Sequence, residues 1–340
     1  MSALAGLHRI RRAVLAFVVA MLLGTSLVAA GTGTAHASRG VLRESAGCVW
    51  DAHGWWVQRC NVWSEANGRD IPVQIVAATQ GGNAAYYMLD GLRATEHSNA
   101  WLVDTNAAQT FQGDNITLVM PVGGKGSFYA DWDGPATYDL ENPVNYQWET
   151  FLTQELPAYL ERHFGVARNN NAISGLSMGG TAALNLAAKH PDQFRQVLSF
   201  SGYPTTTLPG AQTALRVALL DAGGFNLNAM YGSLVSPRRF ENDPFLNMDG
   251  LRGSDVYVSA ASGIPSPADA NIAWNHQLSG AALESLANVS TKIWAAKANT
   301  TGIGIREDYP ATGMHNWNQF GHQMEKTRPL VLDVMNAHRW

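Results

Sequence analysis

The chain has 340 residues, 46% of them hydrophobic and 15% charged, with a formal net charge of −4 at pH 7. That length suffices for one large α/β domain with a substantial core. The acidic balance excludes a protein that works on nucleic acid, where affinity comes from Lys and Arg neutralising phosphates.

The chain opens on a targeting pattern. Arg9, Arg11 and Arg12 precede a largely apolar run over residues 13–30, with Leu15, Phe17, Val18, Met21, Leu22 and Leu23, and then Ala35-His36-Ala37. A basic start, an apolar stretch and a small-x-small site make a signal peptide, with cleavage expected after Ala37. The expected organisation is a signal peptide over residues 1–37, an N-terminal disulfide-containing segment over 38–66 and a main domain over 67–340. Export places the protein outside the cell or in the cell envelope. No other stretch is apolar enough to cross a membrane, so no integral span is expected after cleavage. Losing three arginines with the leader takes the net charge to about −7, further from anything that binds nucleic acid. The only cysteines, Cys48 and Cys60, are expected to pair in an oxidising compartment. No Cys/His cluster has metal-ligand spacing, so neither metal nor cofactor is expected.

Residues 40–63 hold both cysteines and Trp50, Trp55, Trp56 and Trp63, and predict either a lid or brace on the main domain or an edge hairpin. Residues 69–78 alternate like a strand. Residues 84–89 are apolar and end at Asp90-Gly91-Leu92-Arg93; residues 116–122 form a buried strand ending in Gly123-Gly124. Residues 148–164 read as an amphipathic helix. Ala172 and Ile173 lead into Ser174-Gly175-Leu176-Ser177-Met178-Gly179-Gly180 and a small-residue helical run. Strands follow at 197–200 and 255–260, a helix at 281–287, a strand-like stretch at 292–296 and a final helix at 317–337. Alternating strands and helices predict an α/β fold of the α/β-hydrolase kind, a mostly parallel central sheet flanked by helices. Its site would gather at the carboxyl ends of the strands.

A glycine-flanked serine between a strand and a helix is a nucleophile elbow, which makes Ser177 the candidate nucleophile. A serine hydroxyl needs a base, and the fold orders them Ser, acid, His. His315 lies between the last strand and the last helix, where the fold places its base; His322 is the second choice, and His190 reads as a helix terminator. Spacing leaves the acid open between Asp269 and Glu284. An oxyanion hole needs two aimed N–H groups, for which Met178 and Leu92 are the candidates.

Residues 89–93, 119–124, 127–132, 148–152 and 175–178, with Asp221-Ala222-Gly223-Gly224, Asn242-Asp243-Pro244 and His315-Asn316-Trp317, resemble the mycolyltransferases of the antigen 85 type. The similarity runs from about Gly68 to Met335, with the motifs in the same order. It implies an acyl-enzyme on Ser177 that moves mycoloyl groups between trehalose mycolates and onto cell-wall arabinogalactan. It makes His315 the base, Glu284 the acid rather than Asp269, and Leu92 and Met178 the oxyanion donors. Asp90, Arg93, Asn316 and Trp317 fall in the substrate-binding set. The substrates would be trehalose mycolates and cell-wall glycan.

Four features depart from the family pattern. Asn316 stands where the family has serine, Thr205 falls near a sugar-holding aspartate, and Val258 replaces a mycobacterial cysteine. The Cys48–Cys60 segment looks more like corynebacterial or nocardial relatives. Two other functions fit parts of the pattern: a secreted carboxylesterase with the same triad, and a noncatalytic surface protein that binds host matrix or glycan.

Overall fold

The computed structural model describes residues 38–139 and 141–338. The expected signal peptide at residues 1–37 lies outside the described residues. Among those described, nine strands join one sheet: β1 (Cys48–Trp50), β2 (Val57–Ser64), β3 (Arg69–Val76), β4 (Ala85–Leu89), β5 (Thr117–Pro121), β6 (Asn171–Leu176), β7 (Phe194–Phe200), β8 (Asp255–Ser259) and β9 (Ile305–Asp308). Their order is β1-β2-β3-β5-β4-β6-β7-β8-β9. From β5 to β9 every neighbouring pair is parallel, while β1, β2 and β3 form an antiparallel edge. This is the mostly parallel α/β sheet the alternation predicts.

The direction of winding reverses at β4. The chain leaves β4 for β5 on one side and returns to β6 on the other. Such a switch point opens a crevice at the carboxyl ends of its strands. Leu89 at the end of β4 pairs with Gly175 of β6, which brings the loop after β4 beside the elbow after β6. Both sheet faces are covered. Ala85, Tyr87 and Leu89 of β4 join a core with Trp148, Phe151, Phe164 and Trp294, whereas Tyr86 and Met88 join one with Trp101, Phe111, Phe320 and Leu332. Alternate side chains of a strand point to opposite faces, so a strand apolar throughout is one buried on both sides.

Three helices carry or support the site: α1 (Met178–Lys189), α2 (Trp274–Thr300) and α3 (Trp317–Met335). α2 corrects the sequence reading. The strand-like stretch at 292–296 continues the helix expected at 281–287, because Ala287, Thr291, Trp294, Ala295 and Ala298 bury at helical spacing. The last strand is instead β9, whose Arg306, Glu307 and Asp308 give it no apolar signature. Charge on an edge strand discourages pairing with another chain. The helix expected over 148–164 runs from Trp148 to Phe164 but carries a π-helical turn, Phe151–Glu155, just before Pro157. Proline lacks the N–H that regular α-helical bonding needs there. Residues 48–64 form an edge hairpin rather than a lid, with Cys48 and Cys60 paired in register and disulfide-bonded. No helix among the described residues is long and apolar enough to cross a membrane.

Candidate active site

The elbow is built by close backbone approach. A side chain on Gly175 would run into the backbone of Gly179, and one on Gly179 into Asp90 O and Leu89 O. Glycine at both positions lets α1 start almost on top of β4 and β6. Between them Ser177 adopts φ 54° and ψ −119°, a conformation that a side chain rarely takes. Such strain is held by its surroundings, here by Ser177 N–H donating to Phe200 O at 2.9 Å. Ser177 is half-buried and immediately precedes α1. The N–H of Met178, the first residue of α1, has no acceptor within the helix.

Phe200 and its neighbour Ser201 tie the elbow to the other half of the site. Ser201 also has positive φ, 50°, and its Oγ donates to Glu284 Oε1 at 2.7 Å. Ala261 N–H, past the end of β8, donates to the same oxygen at 2.6 Å. The second oxygen, Glu284 Oε2, accepts from His315 Nδ1 at 2.8 Å. Glu284 is fully buried and the His315 side chain is 9% exposed. A buried carboxylate with three donors is held in one orientation, so it fixes the imidazole tautomer with Nε2 free to accept a proton. His315 N–H is fastened to Gly280 O at 3.1 Å, one turn of α2 before Glu284. The His315 ring packs edge-on to Phe320 at 5.1 Å and lies 5.9 Å from Tyr203. Tyr203 is hydrogen-bonded through its hydroxyl to Leu283 O and through its N–H to Thr181 Oγ1, and Thr181 Oγ1 donates to Ser177 O. Burial, with the Glu284 charge, raises the Tyr203 phenol well above its ordinary pKa.

The loop after β4 completes the mouth. Leu92 is half-buried, and its carbonyl accepts from Gly126 N–H at 3.0 Å. A side chain on Gly91 would meet Leu176 and approach Ser177 Cβ, so the loop lies directly against the elbow. Asp90 braces it. The carboxylate is 3% exposed and accepts Gly91 N–H on one oxygen and Ala100 N–H on the other, at 2.8 and 2.9 Å. Burial pushes its pKa up to about 6 against those two hydrogen bonds.

Residues 64–330 match the Esterase family model. Ag85B of Mycolicibacterium smegmatis, a diacylglycerol acyltransferase/mycolyltransferase, is 35% identical over 333 residues, which cover 96% of this chain and 97% of that protein. Ag85C of Mycobacterium leprae, with the same description, is 33% identical over 83% of each chain. The chain belongs to the Ag85 mycolyltransferase family. It is an acyltransferase on the esterase-type α/β-hydrolase fold. Among solved structures, Mycobacterium tuberculosis MPT51 (FbpC1) superposes with a TM-score of 0.71 at 28% identity, covering 83% of this chain and 99% of that one. An S-formylglutathione hydrolase from Agrobacterium tumefaciens shares the fold alone, with a TM-score of 0.61 at 16% identity over 85% of this chain and 99% of that one.

Within this Ag85-type frame, the residues that depart from the motif have local roles. Asn316 caps α3 through Gln319 N–H, and its Nδ2 donates to Asp269 Oδ1 at 2.7 Å. Asp269, the rejected acid, therefore supports the His315 loop instead of touching the ring. Burial raises its pKa, but hydrogen bonds from Ser266, Asn316 and Asn318 hold it below the ordinary carboxylate value. Thr205 is buried with its hydroxyl on Ser290 Oγ at 2.6 Å, so its own side chain is turned into the protein. Trp317, half-buried at the start of α3, packs edge-on to Trp101 at 5.7 Å, and Trp101 Nε1 donates to Leu89 O. Arg93 is exposed and ion-paired to Asp221. His322 is exposed on α3, and His190 is hydrogen-bonded to Glu149. Sequence reasoning missed Ser201, Tyr203 and Ala261. Ser201 directly follows β7 and precedes Gly202, but nothing local ties it to a glutamate far along the chain.

Proposed function

We propose that the protein is an exported serine acyltransferase that moves mycoloyl groups between trehalose mycolates and onto cell-wall arabinogalactan. The observation that carries this reading is the buried Glu284–His315 pair, anchored on Ser201, beside an elbow anchored on Phe200. Ser177 is the nucleophile, His315 the base and Glu284 the acid. Ser177 Oγ attacks the ester carbonyl as His315 Nε2 takes its proton. The N–H groups of Leu92 and Met178 stabilise the oxyanion; one such donor is worth about 3 kcal/mol of transition-state stabilisation. The ester C–O bond breaks, and His315 returns the proton to the departing sugar oxygen. A second sugar hydroxyl then gives its proton to His315 and attacks the acyl carbon, and His315 returns that proton to Ser177 Oγ as its bond to the acyl group breaks. Glu284 keeps its charge throughout and steadies the imidazolium.

The helix that turns Glu284 inward is apolar on its other side, which suits a lipid substrate. On the outer face of α2, Leu278 (65% exposed), Leu286 (60%) and Val289 (57%) stand open beside Leu283, the neighbour of Glu284. An apolar patch of this kind marks an interaction surface. Transfer in place of hydrolysis needs the acceptor hydroxyl held in place, a positioning worth up to about 10 kcal/mol. Arg93, Trp317 and the remaining lone pairs of Asp90 are the groups proposed for that task, with Asn316 holding the base loop. Incubation of the mature protein with trehalose monomycolate tests the assignment: dimycolate is expected. Free mycolate alone would make it a carboxylesterase. If a serine-directed phosphonate labels Ser177→Ala as strongly as the native protein, the catalytic reading fails and a noncatalytic binding role takes its place.

A further inference from the structure

The turn joining β1 to β2 is strained where a turn need not be. Gly54, Trp55 and Trp56 are three successive residues with left-handed backbone, at φ 73°, 51° and 62°. Glycine or asparagine meets that demand at little cost; a bulky side chain does not. The two tryptophans gain little burial in return, since Trp55 is 44% and Trp56 49% exposed. Trp50 is 41% exposed and packs edge-on to Trp56 at 5.8 Å. With Asp51, Gly54 and Val57, the three rings line a surface cavity of about 320 Å³.

The cradle is rigid. The Cys48–Cys60 disulfide clasps the hairpin behind it. Asp51 accepts His53 N–H and His53 Nδ1 on one oxygen and Gln74 Nε2 on the other, which fixes the turn to β3. Strain, exposure and rigidity together mean that the rings are presented outward for contact. Flat indole faces with hydrogen-bonding groups at their rim suit a sugar ring, whose C–H face stacks on the aromatic surface while its hydroxyls reach the rim. Residues 47–57 contain no Lys or Arg, and Asp51 is their one carboxylate. That charge favours a neutral glycan over an anionic lipid surface, which recruits basic residues.

The cradle is remote from the elbow. β2 starts at Val57 beside Val76, which registers with Leu118 near the start of β5; Ser177 follows the opposite, carboxyl end of β6. Four strand spacings across and most of a strand along put the two roughly 25 Å apart. We propose that Trp50, Trp55 and Trp56 form a carbohydrate-binding site for a neutral polysaccharide chain, separate from the centre that performs acyl transfer. It would hold the enzyme on a polymer while the far end of the sheet does chemistry. The inference does not depend on the acyl acceptor proposed above.

Cosedimentation tests it, using the full mature chain carrying Ser177→Ala so that no turnover occurs. The probes are cell-wall polysaccharide stripped of lipid and protein, and, in a second arm, vesicles of phosphatidylcholine with phosphatidylglycerol. The protein is expected to pellet with the polysaccharide and not with the vesicles. Trp55→Gly relieves the left-handed residue while deleting the ring. It is expected to weaken polysaccharide binding by about tenfold or more and to leave Tm within about 3 °C or raise it. Trp55→Phe should recover part of the binding. Undiminished binding by both Trp55→Gly and Trp50→Ala overturns the proposal. So does pelleting with vesicles alone, which makes the cradle a lipid anchor, or pelleting with neither. A fall in Tm of more than about 5 °C in Trp55→Gly makes the ring a packing residue and also overturns it.

Discussion

Glu284 shows how one buried side chain can be fixed by three others. Its oxygens are taken by Ser201 Oγ, Ala261 N–H and His315 Nδ1. Glu284→Gln keeps the shape but offers N–H₂ where His315 needs an acceptor, which turns the imidazole to the wrong tautomer. We expect kcat for a soluble ester to fall by about 10³–10⁴ with KM little changed, as when a triad acid becomes its amide. Asp90 makes a different prediction. Its folded pKa is about 6, above the 3.8 of the free side chain, so between those values the folded state binds more protons than the unfolded one. Stability then falls as pH rises through that window. The group is almost fully buried, and its contribution is at most about 3 kcal/mol. Urea unfolding across pH 4–7 checks this: the native protein should lose ground to Asp90→Asn, which cannot titrate, as pH rises.

Two helices turn distant residues into neighbours. α2 presents Glu284 inward and Leu286 outward from one continuous run. α3 begins directly after His315 and Asn316, and Asn316 is both its cap and its link to Asp269. Asn316→Ala removes both. It should cost about 1–2 kcal/mol of stability, measured by urea unfolding, and lower kcat by loosening His315. Asn316→Ser restores the cap but not the longer reach to Asp269, and should recover most of the stability with less of the rate.

The described residues share one nine-stranded sheet whose parallel part and antiparallel edge are built differently. The parallel strands open their carboxyl ends at the β4 switch point, while the antiparallel hairpin closes the opposite edge. The Cys48–Cys60 bond stabilises that edge by restricting the unfolded chain. Cys48→Ser with Cys60→Ser should lower stability by about 3 kcal/mol, read as a reduced denaturation midpoint at unchanged slope. Hydrolysis of a soluble ester should persist in the double variant below its unfolding midpoint, because no residue of the hairpin reaches Ser177.

The sequence alone determined what is local. A strand, a glycine-flanked serine and a small-residue helix are contiguous, so the elbow and Met178 were legible from residues 172–188. So were the parallel strands other than β9, whose apolar runs must be buried on both faces, and the loops that end them. The base could be placed by fold order, but Asp269 and Glu284 were separated only by family resemblance, since spacing carries no direction. The tertiary structure decided which carboxylate meets the ring: α2 turns Glu284 inward, and the capping turn holds Asp269 against Asn316. It also found Ser201, whose role exists only because the end of β7 reaches α2; it reassigned residues 292–296 to a helix and revealed β9, a charged edge strand that the sequence reading passes over. Those features depend on contacts between residues far apart in the chain, and neither periodicity nor composition encodes such contacts.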